Sequence, residues 1–315
     1  MRRFLIRRAG LLLATLLIAS MAIYGALYLA PGDPIAVLTG GRKVSPEARA
    51  QLAARYHLDD PLPVRYWRWL TDALHGDLGY SIANRADVST VVGERVGTTL
   101  GLLALTSVLI IVIGVSVGVL SALKPGFVDT AVLTVTTVLA AVPSFVTALV
   151  LISVFAVNLR WLPALGTGDG FLDQLKHLIL PSAALAASSL ALVARITRAA
   201  VRAELPREHV QTAISRGLSR RAVFRRHVLR NAAVPITTVT GLSIASLIVL
   251  VSIVEQVFDL NGIGAALVTA AQNKDFAVVQ ALSLIMVAAF VLINTVVDLL
   301  YAVLDPRVKL GTAAT

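Results

Sequence analysis

Six long apolar runs alternate with polar and charged segments along the sequence. They lie at about residues 10–30, 98–122, 131–157, 178–200, 232–254 and 277–304. Each is long enough to cross a bilayer as a helix, which takes roughly 17–25 residues, and the longer runs can tilt. Because lipid offers no partner to backbone polar groups, every run should be helical. The pattern therefore predicts an all-α membrane protein with six transmembrane helices.

Two of these runs carry features that bear on packing. In the fourth run, Pro181 is expected in the first turn of the helix, where proline is tolerated, while Arg195 and Arg198 approach the far end. In the second run, Gly114 and Gly118 form a Gly-x-x-x-Gly pair. Such a pair is typical of helices that pack closely against a neighbour.

The first run resembles a secretory or twin-arginine signal only in its charged start. Its apolar stretch from Gly10 to Ala30 has 21 residues, whereas the apolar region of a signal has about 7–15. The chain then continues directly into Pro31-Gly32-Asp33-Pro34 without a clear cleavage site. We expect an uncleaved first span.

The distribution of Lys and Arg predicts the orientation of the spans. One side of the membrane would carry the arginines of the N-terminus, Lys124, ten arginines between Arg195 and Arg230, and the basic residues of the C-terminus. The two short loops on the other side carry Arg160, Lys176 and Lys274. Since positive charge favours the cytoplasmic side, both termini are predicted to be cytoplasmic.

The long polar segment 31–97 is then predicted to be extracytoplasmic, because segments of this length translocate largely regardless of charge. Ser45-Pro46-Glu47 predicts a helix start, with Ser as the cap and Pro at the first position. Further on, an apolar stripe predicts a second helix: Tyr66, Trp67, Leu70 and Leu74. Helices lying on the membrane surface and a compact cap packed on the spans both fit this pattern.

Composition narrows the class of protein. The mean hydropathy is +0.81, and 57% of the residues are hydrophobic against 15% charged, unlike a soluble domain. The net charge of +10 comes from residues beside apolar runs, so we expect no nucleic-acid partner. There is no Cys, the His residues lack the spacing of a metal site, and no phosphate-binding Gly-x-x-x-x-Gly-Lys-Ser/Thr occurs. We therefore expect no catalytic, cofactor or metal site in this chain.

The basic loop at residues 204–231 has the pattern of two helices around a glycine. Val210, Ala213, Ile214 and Leu218 recur at helical spacing on one apolar face, and Gly217 is placed to end that helix. Ser219 can cap a second helix, which is rich in arginine. Two functions fit equally: a basic hairpin on anionic lipid, or a helix inserted into the groove of a partner protein.

This loop resembles the cytoplasmic coupling loop of ABC-importer permeases of the dipeptide/oligopeptide/nickel group. The matching pattern is Glu-aromatic-Val-x-Thr-Ala-x-x-x-Gly at residues 208–217, followed by His-x-Leu-x-Asn-Ala-x-x-Pro at residues 227–235. Further similar stretches run along nearly the whole chain, at residues 28–34, 58–66, 76–81, 143–145, 161–163 and 298–307. The long segment after the first span resembles the B-type membrane subunit.

The resemblance implies a type I ABC importer permease architecture with six transmembrane helices. It divides the chain into an N-terminal tail and first helix (1–30), an extracytoplasmic segment (31–97), a five-helix core (98–304) and a cytoplasmic tail (305–315). The implied location is the bacterial inner membrane. The implied partners are a second homologous permease, two ATPase subunits that hold ATP and Mg²⁺, an extracytoplasmic solute-binding protein and membrane lipids.

By the same resemblance, eight loop residues would form the ATPase-docking site: Glu208, Val210, Thr212, Ala213, Ile214, Arg216, Gly217 and Leu218. Three positions depart from the usual pattern. His209 replaces an aromatic residue, Ile214-Ser215 replaces a basic residue and Ala, and Asn261 replaces Pro. The first two bear on the fit to the ATPase, and the third bears on the conformation of an outer loop. No substrate-binding residue is indicated.

The expected function is transport of di- or oligopeptides, with a nickel chelate or a glutathione-like molecule as alternative substrates. A stand-alone channel or secondary transporter is a competing class, as is a scaffold docked on lipid. A channel or secondary transporter would need polar residues along several spans, and the spans here are nearly free of charge. Asp298 is the clearest intramembrane acid, and pairing within the structure is the favoured role for it.

Overall fold

The computed structural model describes residues 2–29, 35, 45–55 and 59–304, and helices make up most of this part of the chain. The helices are α1 (Arg2–Leu29), α2 (Pro46–Arg55), α3 (Leu62–Leu74), α4 (Val88–Leu109), α5 (Val115–Leu123), α6 (Phe127–Ala141), α7 (Ser144–Leu151), α8 (Phe171–Glu204), α9 (Glu208–Ser215), α10 (Arg220–Val223), α11 (Leu229–Val257), α12 (Ile263–Gln272) and α13 (Phe276–Leu304). Short π-helical stretches join α4 to α5, extend α7 and join α10 to α11. A two-residue hairpin pairs β1 (Tyr80–Ser81) with β2 (Ala86–Asp87).

Five helical segments in the described residues are long and apolar enough to cross a membrane. They are Arg8–Leu27, Val88–Leu123, Phe171–Glu204, Arg220–Val257 and Phe276–Val297. A sixth span results if the bent pair α6 and α7 is counted as one. The apolar pattern is therefore confirmed as an all-helical fold with five to six spanning helices.

The third predicted span, residues 131–157, is not one straight helix. The chain bends by 106° between Phe127–Ala141 and Ser144–Asn158. Pro143 has no backbone N–H and disfavours helical geometry in the residue before it, and Val142 is extended at φ −87° and ψ 124°. Hydropathy alone did not reveal this break, because the residues on both sides of it are apolar.

The fourth span is longer than its apolar core. It begins at Phe171, so Pro181 lies inside the helix and not in its first turn as predicted. At 1.5 Å per residue, the 34 residues of α8 reach roughly 50 Å, well beyond the hydrocarbon core of about 30 Å. The prediction failed here because a helix continues into the polar region once its apolar core is anchored.

The described chain forms two compact units. The first is built on residues 100–260 with the described residues 2–4 and 290–304, and the second on the described residues within 5–99 and on residues 261–289. The predicted boundary between residues 97 and 98 falls inside the continuous helix α4. The predicted tail at 305–315 lies outside the described residues.

In the first unit, α8 is packed closely by the helix that carries the Gly-x-x-x-Gly pair. A Cβ atom on Gly118 would lie 2.5 Å from the carbonyl oxygen of Ala194 and 2.6 Å from Cβ of Thr197. A Cβ atom on Gly114 would lie 3.2 Å from Cγ1 of Val193. The predicted close packing at these two glycines is confirmed.

In the second unit, helix α3 packs against the first span through aromatic side chains. The Tyr66 and Ser20 hydroxyls are hydrogen bonded at 2.8 Å, and the rings of Tyr66 and Trp69 lie against that of Tyr24. Trp67 and Leu74 of the predicted stripe are instead exposed. This arrangement favours the compact cap over helices lying free on the membrane surface.

Two local features secure the other polar parts of this unit. The backbone N–H of Ala48 donates to the Ser45 hydroxyl at 3.2 Å, which confirms the predicted cap of α2. The Ser81 hydroxyl of the hairpin donates to the buried carboxylate of Asp275 at 2.6 Å, immediately before α13. Pairing of this kind satisfies a buried charge.

We expect Gly118→Ala to lower the free energy of unfolding by about 1–3 kcal/mol, since the new methyl group would overlap backbone and the branched Thr197. Gly97→Ala is the matched control, because nothing lies within 4 Å of its Cβ position and alanine favours a helix. Thermal unfolding of the two variants in the same detergent would measure the difference. Equal midpoints would contradict the packing described here.

Candidate functional site: the loop at residues 204–231

A short helix, α9, forms the centre of the loop. Arg207 is extended at φ −62° and ψ 143° directly before it, and the backbone N–H of Val210 donates to the carbonyl of Arg207 at 2.9 Å. The side-chain amide of Gln211 donates to the backbone carbonyl of Leu205 at 3.2 Å. These contacts hold the connection between α8 and α9 in one conformation.

Gly217 ends α9 as its position in the sequence predicts. It has φ +77°, in the left-handed region that favours glycine. The N–H of Leu218 donates to the carbonyl of Ala213 at 3.3 Å, and the N–H of Gly217 donates to the carbonyl of Ile214 at 2.9 Å. These two bonds form a Schellman motif, which reverses the chain directly after the helix.

The second helix of the loop begins at the predicted cap. The N–H of Ala222 donates to the Ser219 hydroxyl at 3.4 Å. The helix does not end within the loop, because the apolar helical segment runs from Arg220 to Val257. The arginines predicted for a separate basic helix are therefore the first turns of a long span.

An apolar cluster lies under α9, and we name it the loop cluster. Its buried members come from α9 itself, from α5, α8, α10 and α11, and from the π-helical stretch between α10 and α11: Ala122, Val201, Val210, Ala213, Val223, Val228, Ala232 and Ile236. Val210 is 1% exposed. Because side chains of α5, α8 and α11 all contribute, α9 shares one apolar core with these three helices.

The predicted apolar stripe of α9 faces two ways. Val210 and Ala213 are buried in the loop cluster, whereas Ile214 is 53% exposed and Leu218 is 41% exposed. The remaining residues predicted to dock the ATPase are also exposed: Glu208, Thr212, Arg216 and Gly217. Six of the eight predicted residues therefore form an open surface, and two anchor it.

A polar contact on the side of α9 involves His209, one of the three departures from the pattern. The amide of Asn231 lies 3.0 Å from Nε2 of His209 and donates to the carbonyl of His227 at 3.0 Å. Nε2 of His209 is 3.6 Å from the Glu204 carboxylate. The His209 imidazole links α9 to the start of α11 through a hydrogen bond, in addition to the apolar contacts of the loop cluster.

A second group of polar residues lies beside the loop cluster, and we name it the Asp129 cluster. Asp129 accepts hydrogen bonds from Arg198, Arg202 and the Ser121 hydroxyl. The sequence pattern did not single out this group. The available signal was an acid in the first turn of α6 and two arginines at i, i+4 on α8, a pattern that becomes specific only once the two helices are paired.

The other candidate positions add no further site. Among the described side chains, no group of three or more His, Asp or Glu residues could hold a metal ion. Asn261 is exposed and precedes Gly262, the residue that caps the start of α12. The side chain of Asp298 lies outside the described part of the chain, so its pairing stays a prediction.

Comparison with known proteins identifies related chains over the full length. Residues 110–310 match the family of binding-protein-dependent transport system inner membrane components, and residues 1–103 match the N-terminal part of such membrane components. A probable peptide ABC transporter permease of Sinorhizobium fredii is 37% identical over 314 residues, covering 97% of this chain and 99% of the relative. A glutathione transport system permease of Salmonella paratyphi A is 34% identical, with 98% and 99% covered.

A putative peptide permease of Brucella suis is also 34% identical over 317 residues, covering 98% of this chain and 99% of that protein. Among solved structures, one chain of the inward-facing MetNI methionine ABC transporter matches this chain with a TM-score of 0.54 and 17% sequence identity. The match covers 68% of this chain and 96% of that chain. At this identity the likeness shows a shared fold.

We expect Val210→Ala to lower the free energy of unfolding by about 2 kcal/mol, because two buried methyl groups are lost and a cavity remains. Ile214→Ala is the matched control on the same helix, and its effect should be within about 0.5 kcal/mol because the side chain is largely exposed. Denaturation of the purified variants would test this. A larger loss from Ile214→Ala than from Val210→Ala would contradict the two-sided arrangement of α9.

Proposed function

We propose that this chain, which belongs to the family of binding-protein-dependent transport system inner membrane components, forms the pathway of an ATP-driven importer for di- or oligopeptides. The observation that carries the proposal is the loop at residues 204–231, a rigidly seated helix with an exposed docking surface. The peptide substrate is supported by the relatives named as peptide permeases, which align over nearly the whole chain. Glutathione, itself a tripeptide, is the second candidate, favoured by the glutathione permeases among the relatives.

The docking surface has the character of a helix that enters a groove. Ile214 and Leu218 present apolar area beside Glu208 and Arg216. Apolar area exposed on a short helix is stabilised when a partner covers it, and a groove in a folded domain does this with defined geometry. We assign the groove to the two ATPase subunits, which would hold ATP and Mg²⁺, so that this chain is not itself an enzyme.

The orientation follows from the charges of the loop. The arginines near α9 and at the start of α11 favour the cytoplasmic side, and both termini would then be cytoplasmic, with six spans if the bent pair α6 and α7 counts as one. The segment 31–97 would be extracytoplasmic, residues 98–304 would form the five-helix core, and residues 305–315 would be a cytoplasmic tail. A solute-binding protein would deliver substrate from outside, and a second homologous permease would complete the pathway.

The seating of α9 suggests how ATP hydrolysis drives transport. When the ATPase subunits close, they would displace α9. Because Val210 and Ala213 share one buried apolar cluster with residues of α5, α8 and α11, the displacement would pass to these helices through that cluster. A cavity between the two permeases would then open alternately to each side.

We expect Ile214→Asp to weaken binding of the ATPase subunits about tenfold or more, because a charge replaces apolar area that the groove would bury. Gly217→Arg and Glu208→Lys should act in the same direction, through backbone strain and reversed charge. Leu74→Asp, a similar change at an exposed position of α3, should leave binding unchanged. Co-purification with tagged ATPase subunits measures the effect, and a stable complex in all three loop variants would refute the docking assignment.

The orientation can be tested directly because the chain has no Cys. With the permease expressed alone, a membrane-impermeant maleimide should label Asp72→Cys in intact spheroplasts, since α3 would face outward. Ser215→Cys on α9 should be labelled only after the membrane is permeabilised. Labelling of Ser215→Cys in intact spheroplasts would reverse the proposed orientation.

A further inference from the structure

We propose that Asp129 is a positioning residue that transmits movement of the loop at residues 204–231 to helix α6. This inference rests on the proposed function, because it concerns how force from the ATPase subunits spreads through the spans. Asp129 lies in the first turn of α6, and its partners lie on α5 and on the last part of α8. Its hydrogen-bond partners are Ser121, Arg198 and Arg202, none of which belongs to the docking surface, so its effect would be exerted through the helices that it joins.

The geometry of the Asp129 cluster is that of a charged clamp. Arg198 donates to both carboxylate oxygens of Asp129, through Nε at 2.5 Å and a terminal nitrogen at 2.8 Å. Arg202 donates to one of them at 2.8 Å, and the Ser121 hydroxyl donates to the other at 2.6 Å. Asp129 is 8% exposed. Two-point contact between a guanidinium and a carboxylate fixes orientation as well as distance.

The clamp adjoins the loop cluster residue by residue. Ser121 precedes Ala122, and Arg202 follows Val201, and both of these neighbours are buried members of the loop cluster. Among the described residues of that cluster and the apolar side chains packed on it, α6 is not represented. The apolar seat of α9 therefore ends where the clamp begins, and the clamp adds a charged link to the packing of α6 against α5 and α8.

A second polar contact joins the same two helices further along. Arg195 donates to the Thr137 hydroxyl at 2.6 Å. Thr137 is eight residues beyond Asp129, which places this contact roughly 12 Å further along α6. Helix α6 is thus held to α8 at two levels, and a shift of α8 would move α6 as a rigid body and not by bending it locally.

Helix α6 ends at the bend before Pro143, where the chain turns by 106° into Ser144–Asn158. A rigid movement of α6 would therefore be delivered to this bend. When the clamp is intact, displacement of α9 would move α8, and the Asp129 contacts would carry this movement to α6 and so to the bend. Without the carboxylate, α6 would keep its packing against α8 and the Arg195 contact but would lose the charged link nearest the loop, so we expect α6 to follow α8 less closely.

The test uses the complete transporter reconstituted in lipid vesicles, with either trialanine or glutathione presented on the solute-binding protein. Asp129→Asn keeps the size of the side chain and removes its charge. We expect uptake to fall about tenfold, while basal ATP hydrolysis stays within about twofold of wild type and its stimulation by the loaded binding protein is lost. Asp72→Asn, an exposed acid on α3, is the matched control and should behave as wild type.

A variant that retains the charge separates coupling from folding. Arg198→Lys keeps a cation but cannot make the two-point contact, so it should assemble normally and show a partial loss of stimulation. If the Asp129→Asn complex does not assemble, the Arg198→Lys variant tests whether the clamp is needed for coupling. Wild-type stimulation and uptake in Arg198→Lys would then overturn the proposal.

Distances between spin labels give a readout that loss of stability alone would not change. Labels at Thr134→Cys on α6 and Ala203→Cys on α8 should keep one narrow distance in wild type, with and without trapped ATP. In Asp129→Asn the distribution should broaden or shift when ATP is trapped. An unchanged narrow distribution, or uptake equal to wild type in Asp129→Asn, would overturn the role of the clamp. Absence of ATP-driven uptake in the wild-type complex would instead overturn the proposed function.

Discussion

The absence of hydrogen-bond partners in the lipid core is the constraint on which the rest of this structure depends. It requires backbone groups to pair within helices, and it explains why apolar runs became helices of up to 34 residues in α8. The same constraint governs side chains. Among the described residues, Asp129 at the start of α6 is paired with Arg198 and Arg202. An unpaired charge in such surroundings would be unfavourable by several kcal/mol.

The loop at residues 204–231 shows how a membrane helix bundle can present a rigid surface to water. A helix of eight residues is too short to be stable alone, and α9 acquires its stability from three sources. The loop cluster buries Val210 and Ala213, the Schellman motif at Gly217 closes its end, and the contact between His209 and Asn231 holds its side. Because these contacts involve only the side of α9 that faces the loop cluster, the side chains of Ile214 and Leu218 stay exposed. The residues that anchor α9 and the residues proposed to dock the ATPase are therefore different neighbours on one short helix.

The polar contacts divide into local caps and links between distant segments. Caps such as Ser45 and Ser219 act within three residues, and the sequence predicted both correctly. Links such as Ser81 with Asp275 join residues far apart in the chain, and none of them was predicted. The side of a helix that faces a polar partner depends on which helix lies beside it, and that choice is made by packing. Gly118 is an intermediate case, since the small residue signalled close contact but not that Ala194 and Thr197 would be the residues in contact.

The sequence by itself determined the membrane class, the helical character of the spans, the family and the position of the loop, because these depend on local composition, spacing and end signals. It also determined the end of α9 at Gly217, since a glycine at that one position favours the left-handed conformation that ends a helix. Tertiary structure alone decided the start of α8 at Phe171, the burial of Val210 against the exposure of Ile214, and the pairing of Asp129. Each of these depends on where neighbouring helices lie. The physical reason is that an apolar or charged side chain specifies a kind of surroundings, and only the folded arrangement supplies the particular neighbours.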